Sequence, residues 1–341
     1  MMNNNIQNIA KKLVEEKKGI LAADESNGTI KKRFNQIHKE STAESRRDYR
    51  EMLFNAKDAM ENNISGVILY DETIRQTCRN GKNITDLLRE TDTLIGIKVD
   101  TGAKELAMFN HETVTEGLDG LRERLDEYLK LGASFAKWRA VINISDSTPS
   151  DYAIRINSQA LARYSALCQE AGLVPIVEPE VQMDGEKSFH NIDKCKEITT
   201  KTLQTVFEEL SLAKVELDGI ILKPNMVIPG GKCEEKSSPN EVAEQTLNCL
   251  ENNVPSSVPG ICFLSGGQSD IEATEHLSIM NSIKKTNQKL SFSYGRALQQ
   301  SALIAWNGKE ENITRAQNAF IHRAHMNGLA SIGQWSIELD Q

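Results

Sequence analysis

No apolar run in this 341-residue chain approaches the roughly 18 residues that a membrane span requires. Residues 1–13 (MMNNNIQNIAKKL) also lack the apolar core of a signal peptide. The six cysteines, Cys78, Cys168, Cys195, Cys233, Cys249 and Cys262, contain no CxxC pair. In so long a chain without an export signal they read as reduced thiols, which points to the cytoplasm. Basic charge is short as well. A net charge of -8 and a pI near 5.5 argue against a nucleic-acid surface but leave room for a local basic pocket. None of His38, His111, His190, His276, His322 and His325 closes a strand-like run. The pair His322 and His325 lies on a helical pattern, so no metal centre and no Ser/His/Asp arrangement is expected. No GxGxxG follows the first strand-like run, which weakens a doubly wound dinucleotide fold.

What the chain does contain is eight short apolar runs, at residues 19–24, 66–71, 94–99, 134–139, 173–178, 219–223, 260–265 and 290–296. They are continuous rather than alternating, as parallel strands buried on both faces are. Amphipathic stretches separate them. Residues 117–131 place Leu118, Leu121, Leu125 and Leu129 on one helical face, and residues 153–170 do the same with Ile156, Ala160, Tyr164 and Leu167. Gly132 and Gly172 stand where C-cap glycines are expected. The repeated unit predicts a single α/β domain over 1–341, a (β/α)8 TIM barrel. Residues 1–18 read as an N-terminal helical extension and 330–341 as a C-terminal tail. An open doubly wound sheet is the alternative. The polar loop 228–240 follows the sixth run and is placed to border a site. Pro179 and Pro224 are expected to end their strands, since proline brings no donor to a ladder.

Most of the runs end in a charged or anion-friendly residue, and a charge at the end of a buried strand needs a task or a partner. Lys223 closes a run and precedes a proline. Burial disfavours its ammonium form, and a neutral amine attacks a ketone to give an iminium, an electron sink for carbon–carbon cleavage. The plainer reading is a lysine snorkelling to water. Lys137 and Arg139 share a strand face. Lys137 is a cation suited to lie near Lys223, and Arg139 is suited either to clamp a phosphate or to form a structural ion pair. Lys98 adds a third lysine. Glu178 and Glu180 flank Pro179, where a carboxyl can expel water from a carbinolamine, and Asp24 is placed to accept a hydroxyl proton. Ser265, Gly266, Ser293, Gly295 and Arg296 follow the last two runs, where barrels commonly bind phosphate.

These motifs resemble class I fructose-1,6-bisphosphate aldolase, the metal-free Schiff-base type, over nearly the whole chain. They are LAADES (21–26), GIKVD (96–100), FAKWR (135–139), VEPE (177–180), LKPNMV (222–227), LSGGQ (264–268) and SYGRALQ (293–299). The resemblance implies that Lys223 forms the Schiff base and that Glu178 is its acid/base. Asp24 would handle the C4 hydroxyl, with Lys137 and Glu180 tuning the surrounding charge. Ser265, Gly266, Ser293, Gly295 and Arg296 would hold the C1 phosphate. Ser26, Thr29, Arg33, Lys98 and Arg139 would hold the rest of the sugar and its C6 phosphate. Thr29 stands where relatives commonly have serine and keeps the hydroxyl. The resemblance further implies a TIM barrel, no cofactor, a phosphosugar substrate, a homotetramer, and roles in glycolysis and gluconeogenesis. One departure stands out: many eukaryotic relatives end in a tyrosine that assists proton exchange, and no tyrosine follows Tyr294 here. A non-catalytic scaffold and a Schiff-base aldolase for another sugar are the competing readings, and the intact set of lysines and acids speaks against the scaffold.

Overall fold

The computed structural model describes residues 3–183 and 188–340. Among the described residues ten strands form, in chain order: β1 (Gly19–Ala23), β2 (Ile64–Leu69), β3 (Leu94–Lys98), β4 (Gly102–Glu105), β5 (Thr113–Glu116), β6 (Phe135–Asn143), β7 (Val174–Gln182), β8 (Ile221–Leu222), β9 (Gly260–Phe263) and β10 (Lys289–Tyr294). Eight of them close a parallel barrel in the order β1-β10-β9-β8-β7-β6-β3-β2, while β4 and β5 pair antiparallel as a hairpin. The eight barrel strands are the eight apolar runs, so the open-sheet alternative falls away.

Side chains alternate between two cores, as strand geometry demands. Leu21, Val67, Ile97, Ala136 and Val177 face outward and pack against the helices. Ile20, Ala22, Ile68, Phe135, Val174, Ile176, Ile221 and Cys262 fill the barrel interior. The interior core is closed from below by helix α1 (Asn3–Leu13), whose Ile6, Ala10 and Leu13, together with Val14 just beyond it, join the same cluster. An isolated eleven-residue helix is marginal in water. Burial of each large apolar side chain stabilises it by roughly 1.5–3 kcal/mol. Two glycines admit this plug. A Cβ on Gly219 would come within 2.7 Å of Ile6, and one on Gly260 within 2.4 Å of Val14. Ile6, Ala10, Leu13 and Val14 thus belong to the barrel core.

The structure departs from the sequence-based expectation at four places. First, β6 and β7 run nine residues each and stay paired from Phe135↔Val174 to Asn143↔Gln182, well past Arg139 and Glu178. Pro179 therefore lies inside β7. Its missing donor falls on the β8 side, because Val177, two residues earlier, accepts there from Lys223 N at 2.8 Å. β8 has already ended at that level, and Val181 N instead donates to Asn225 Oδ1 at 3.0 Å. On the opposite flank, Thr115 and Thr113 of β5 donate to the carbonyls of Arg139 (2.8 Å) and Val141 (3.1 Å), which lie beyond the end of β3.

Second, the helix expected over 117–131 spans only Leu121–Lys130, because Gly120 before it takes a left-handed φ of 63°. Third, β8 is short, entered from a 3₁₀ turn at Leu217–Gly219. Fourth, the loop 228–240 does not border the large cavity at the barrel mouth. Gly230 N and Gly231 N bond the carbonyls of His190 and Met183, both at 2.8 Å, so the loop packs against its neighbour instead.

Candidate active site

The alternation that fills the barrel with Phe135, Ile176 and Ile221 places Lys137, Glu178 and Lys223, each two residues further on, in the next layer. Asp24 follows Ala22 in the same way, and Arg139 and Glu180 rise one layer higher. The carboxyl ends of the strands thus carry charge above an apolar floor, around a cavity of about 650 Å³. All the candidate residues line it: Asp24, Ser26, Thr29 and Arg33 after β1, Lys98 on β3, Lys137 and Arg139 on β6, and Glu178 and Glu180 on β7. Lys223 after β8, Ser265 and Gly266 after β9, and Ser293, Gly295 and Arg296 around the end of β10 complete the wall.

At its floor is a buried chain of alternating charge. Lys137 Nζ donates to Asp24 Oδ2 at 3.0 Å and pairs with Glu178 Oε2, also at 3.0 Å. The other Glu178 oxygen lies 3.3 Å from Lys223 Nζ. The immediate neighbour of Lys223 is thus a carboxylate shared with Lys137, where a cation was expected. Burial works to raise the pKa of Asp24, but Lys137, Lys223 and Lys98 together outweigh it and hold the carboxyl at about 2. For Lys137 burial favours the neutral amine, and Asp24, Glu178 and Asp100 overcome it, so its pKa is raised. Asp24 and Lys137 are both charged at neutral pH. Cys262, buried in the interior below, has its thiol pushed up to about 12 by burial despite the nearby Lys223.

The upper layer is paired too. Arg139 grips Glu180 through Nε (2.5 Å) and Nη2 (2.7 Å). Burial tends to raise the Glu180 pKa, and this guanidinium lowers it below the ordinary value. Of the two readings open for Arg139, the ion pair is the one present. Lys98 Nζ meets Asp100 Oδ1 at 2.7 Å and the Asp100 carbonyl at 2.9 Å. The Asp100 carboxylate also accepts from Gly102 N at 3.1 Å and Arg139 N at 3.3 Å.

On the far side, Ser26 caps helix α2 (Asn27–Asn35), accepting from Thr29 N, and the two hydroxyls lie 3.1 Å apart. Arg33 of α2 contacts Glu25 Oε1 at 2.6 Å. Arg296 is exposed and donates to the Gln268 carbonyl at 3.2 Å. Ser293 Oγ is buried and, among the described residues, has no hydrogen-bond partner. An unpartnered hydroxyl beside small residues and two guanidinium groups suits an anion.

Several wall residues were given no task from the sequence: Glu25, Asp100, Tyr70, Asp71, Arg124 and Tyr128. Glu25 and Asp100 lie within the motifs LAADES and GIKVD, and Asp71 closes the second apolar run, so for these three a signal was present. Arg124 and Tyr128 sit on an ordinary amphipathic helix and carried none. Among the described residues, none of the tail lines the cavity. Asp340 binds Arg323 at 2.6 and 2.5 Å and His322 at 2.7 Å, and Trp335 Nε1 donates to Asp340 at 2.9 Å. Trp335 packs against the outer core.

Comparison with known proteins agrees with this geometry. Residues 5–341 match the family described as "Glycolytic: Fructose-bisphosphate aldolase class-I". A probable fructose-bisphosphate aldolase class 1 of Xylella fastidiosa is 52% identical over 327 residues, which is 96% of this chain and 97% of that one. Fructose-bisphosphate aldolase B of Gallus gallus is 49% identical over 331 residues, 97% of this chain and 90% of that one. A solved structure of the Plasmodium falciparum fructose-bisphosphate aldolase, in complex with TRAP and a small-molecule inhibitor, superimposes with a TM-score of 0.95 at 43% identity. It covers 98% of this chain and 96% of that one. With its barrel, its charged mouth and these relatives, the chain belongs to the class-I fructose-bisphosphate aldolase family.

Proposed function

We propose that this protein cleaves fructose 1,6-bisphosphate reversibly into dihydroxyacetone phosphate and glyceraldehyde 3-phosphate, through a Schiff base on Lys223 and without a metal. The observation that carries this reading is the buried chain Lys223–Glu178–Lys137–Asp24, whose contacts are 3.3, 3.0 and 3.0 Å. Lys223 Nζ passes a proton to Glu178, 3.3 Å away, and attacks the C2 carbonyl. Glu178, within reach of that nitrogen, protonates the departing hydroxyl, and water leaves as the iminium forms. Asp24 takes the proton of the C4 hydroxyl, the C3–C4 bond breaks, and its electron pair enters the iminium as an enamine. Glyceraldehyde 3-phosphate departs. Proton return to C3, from Glu178 or a water it orients, and hydrolysis of the imine release the second triose. Lys137 and Glu180 hold the charge balance. Ser265, Gly266, Ser293, Gly295 and Arg296 take the C1 phosphate together with Arg33, which the resemblance assigns to the C6 end but whose guanidinium lies beside Gly295; the other end falls to Ser26, Thr29, Lys98 and Arg139. For the last of these, Arg139 must share its guanidinium with Glu180 or leave it. The protein acts as a single-domain subunit of a cytoplasmic homotetramer.

Borohydride reduction in the presence of dihydroxyacetone phosphate tests the assignment. Peptide mass mapping should find the triose on Lys223, and Lys223→Met should abolish both labelling and turnover. Labelling that survives this substitution would move the nucleophile elsewhere.

A further inference from the structure

We propose that Glu25 is a positioning residue that aims Arg33 at the anion site beyond β10, and that buried Arg50 and Gln299 hold Glu25 in turn. Strand alternation turns Asp24 into the barrel and its neighbour Glu25 into the wall behind. There the Glu25 side chain is only 4% exposed. Its Oε1 accepts from Gln299 Nε2 at 3.0 Å and contacts Arg33 Nη1 at 2.6 Å. Gln299 Nε2 also donates to the Ala22 carbonyl at 2.8 Å, so it is fixed to β1. Arg50, on helix α3 (Ala43–Phe54) and fully buried, donates to the Glu25 carbonyl at 2.8 Å and brings Nη2 to 3.6 Å from Oε2.

The other end of the Arg33 guanidinium faces the cavity. Its Nη2 stands 3.3 Å from the point a Cβ would occupy on Gly295. That places Arg33 beside Gly295, in the wall that also carries Ser293, whose buried hydroxyl is unpartnered, and Arg296. Lys98 stands across the barrel on β3, tied to Asp100. A buried ion pair seldom adds stability over well-packed apolar groups. Placing Glu25 in the wall with buried Arg50 behind it is better explained by the geometry they impose. Glu25 engages one edge of the guanidinium and leaves the other for an anion, and the fixed fork loses little freedom when the anion arrives.

The inference rests on the reading of the cavity as a phosphosugar site, and the test separates the two. Steady-state kinetics with fructose 1,6-bisphosphate, and competitive inhibition by inorganic phosphate, are compared for the full-length wild type, E25Q, R33M and the double variant. Thermal unfolding confirms that each is folded. E25Q should raise both KM and the phosphate inhibition constant about ten-fold, the scale of one charge-assisted contact, while leaving kcat within about two-fold. R33M should raise both constants at least as much, and E25Q should add almost nothing on the R33M background. If E25Q fails to fold, Gln299→Leu keeps the Glu25 charge, loosens its hold and should give a smaller rise in KM. A residue that only supports the fold would change stability and kcat without this coupling. Full additivity of the two substitutions, or an unchanged KM in E25Q, would overturn the inference. A wild type that traps no triose on Lys223 and cleaves no bisphosphate would instead overturn the reading of the cavity.

Discussion

The chemistry of this barrel mouth turns on which charges survive burial. Asp24 is the clearest case, since its ordinary pKa of 3.8 is brought to about 2 by three lysines acting against desolvation. A carboxyl depressed in the folded state contributes stability above its unfolded pKa and loses it as the pH falls through the folded one. The window therefore runs from about pH 4 down to about pH 2. The size is on the order of 2 kcal/mol. Asp24→Asn removes the charge at every pH. The stability gap between wild type and this variant, read from denaturant titrations, should be flat above about pH 4 and shrink toward pH 2. A gap that persists unchanged to pH 2 would show that Asp24 is not held ionised by Lys137 and Lys223. At neutral pH Asp24→Asn should also reduce kcat by at least 10²-fold, the usual scale for losing a positioned base.

At the level of whole elements, the two chain ends are docked for different physical reasons. Helix α1 stays in place by apolar burial in the barrel floor. The tail adds charge to the packing of Trp335: Asp340 pairs with Arg323, whose side chain is 4% exposed and also donates to Thr274 Oγ1 at 2.6 Å and the Asp270 carbonyl at 3.2 Å. Removing the residues after Gly333 leaves Arg323 without its principal counter-ion and should destabilise the protein by roughly 1–3 kcal/mol, measured in urea. Because no described residue of the tail lines the cavity, cleavage of the bisphosphate and hydrogen exchange on dihydroxyacetone phosphate should both change to a similar, modest degree. Exchange abolished with cleavage spared would place the returning proton on the tail.

For the molecule as a whole, the pattern of donors decides the reaction class. Among the described residues no group of three or more histidines, cysteines or carboxylates is placed to hold a metal, whereas two lysines share one buried carboxylate at the mouth. Turnover should therefore persist after dialysis against EDTA. A loss restored by zinc would assign the activity to a metal rather than to Lys223. Among the described residues no helix is long and apolar enough to cross a membrane. The polar mouth and the apolar floor lie at opposite ends of the barrel, so binding and stability are served by different residues on the same strands.

The sequence by itself determined the eight strands, their parallel character and the identity of the charged residues at their ends. Continuous apolar runs and two-residue alternation are local properties and need no partner to be read. Lys137 and Glu178 were legible as mouth residues because they stand toward the ends of continuous apolar runs, Lys137 on the face of Arg139 and Glu178 beside Pro179. What only the tertiary structure decided is which charge meets which. Closure of the barrel sets Arg139 against Glu178 and Lys98 against Lys137 in register, and from that register follow Glu178 between two lysines and Arg139 on Glu180. The run of β7 through Pro179 depends on Asn225 and the absence of β8 at that height. The plug helix depends on glycines 213 or more positions away from Ile6. Each is a contact between distant segments, which local periodicity does not encode and which exists only once the strands have closed.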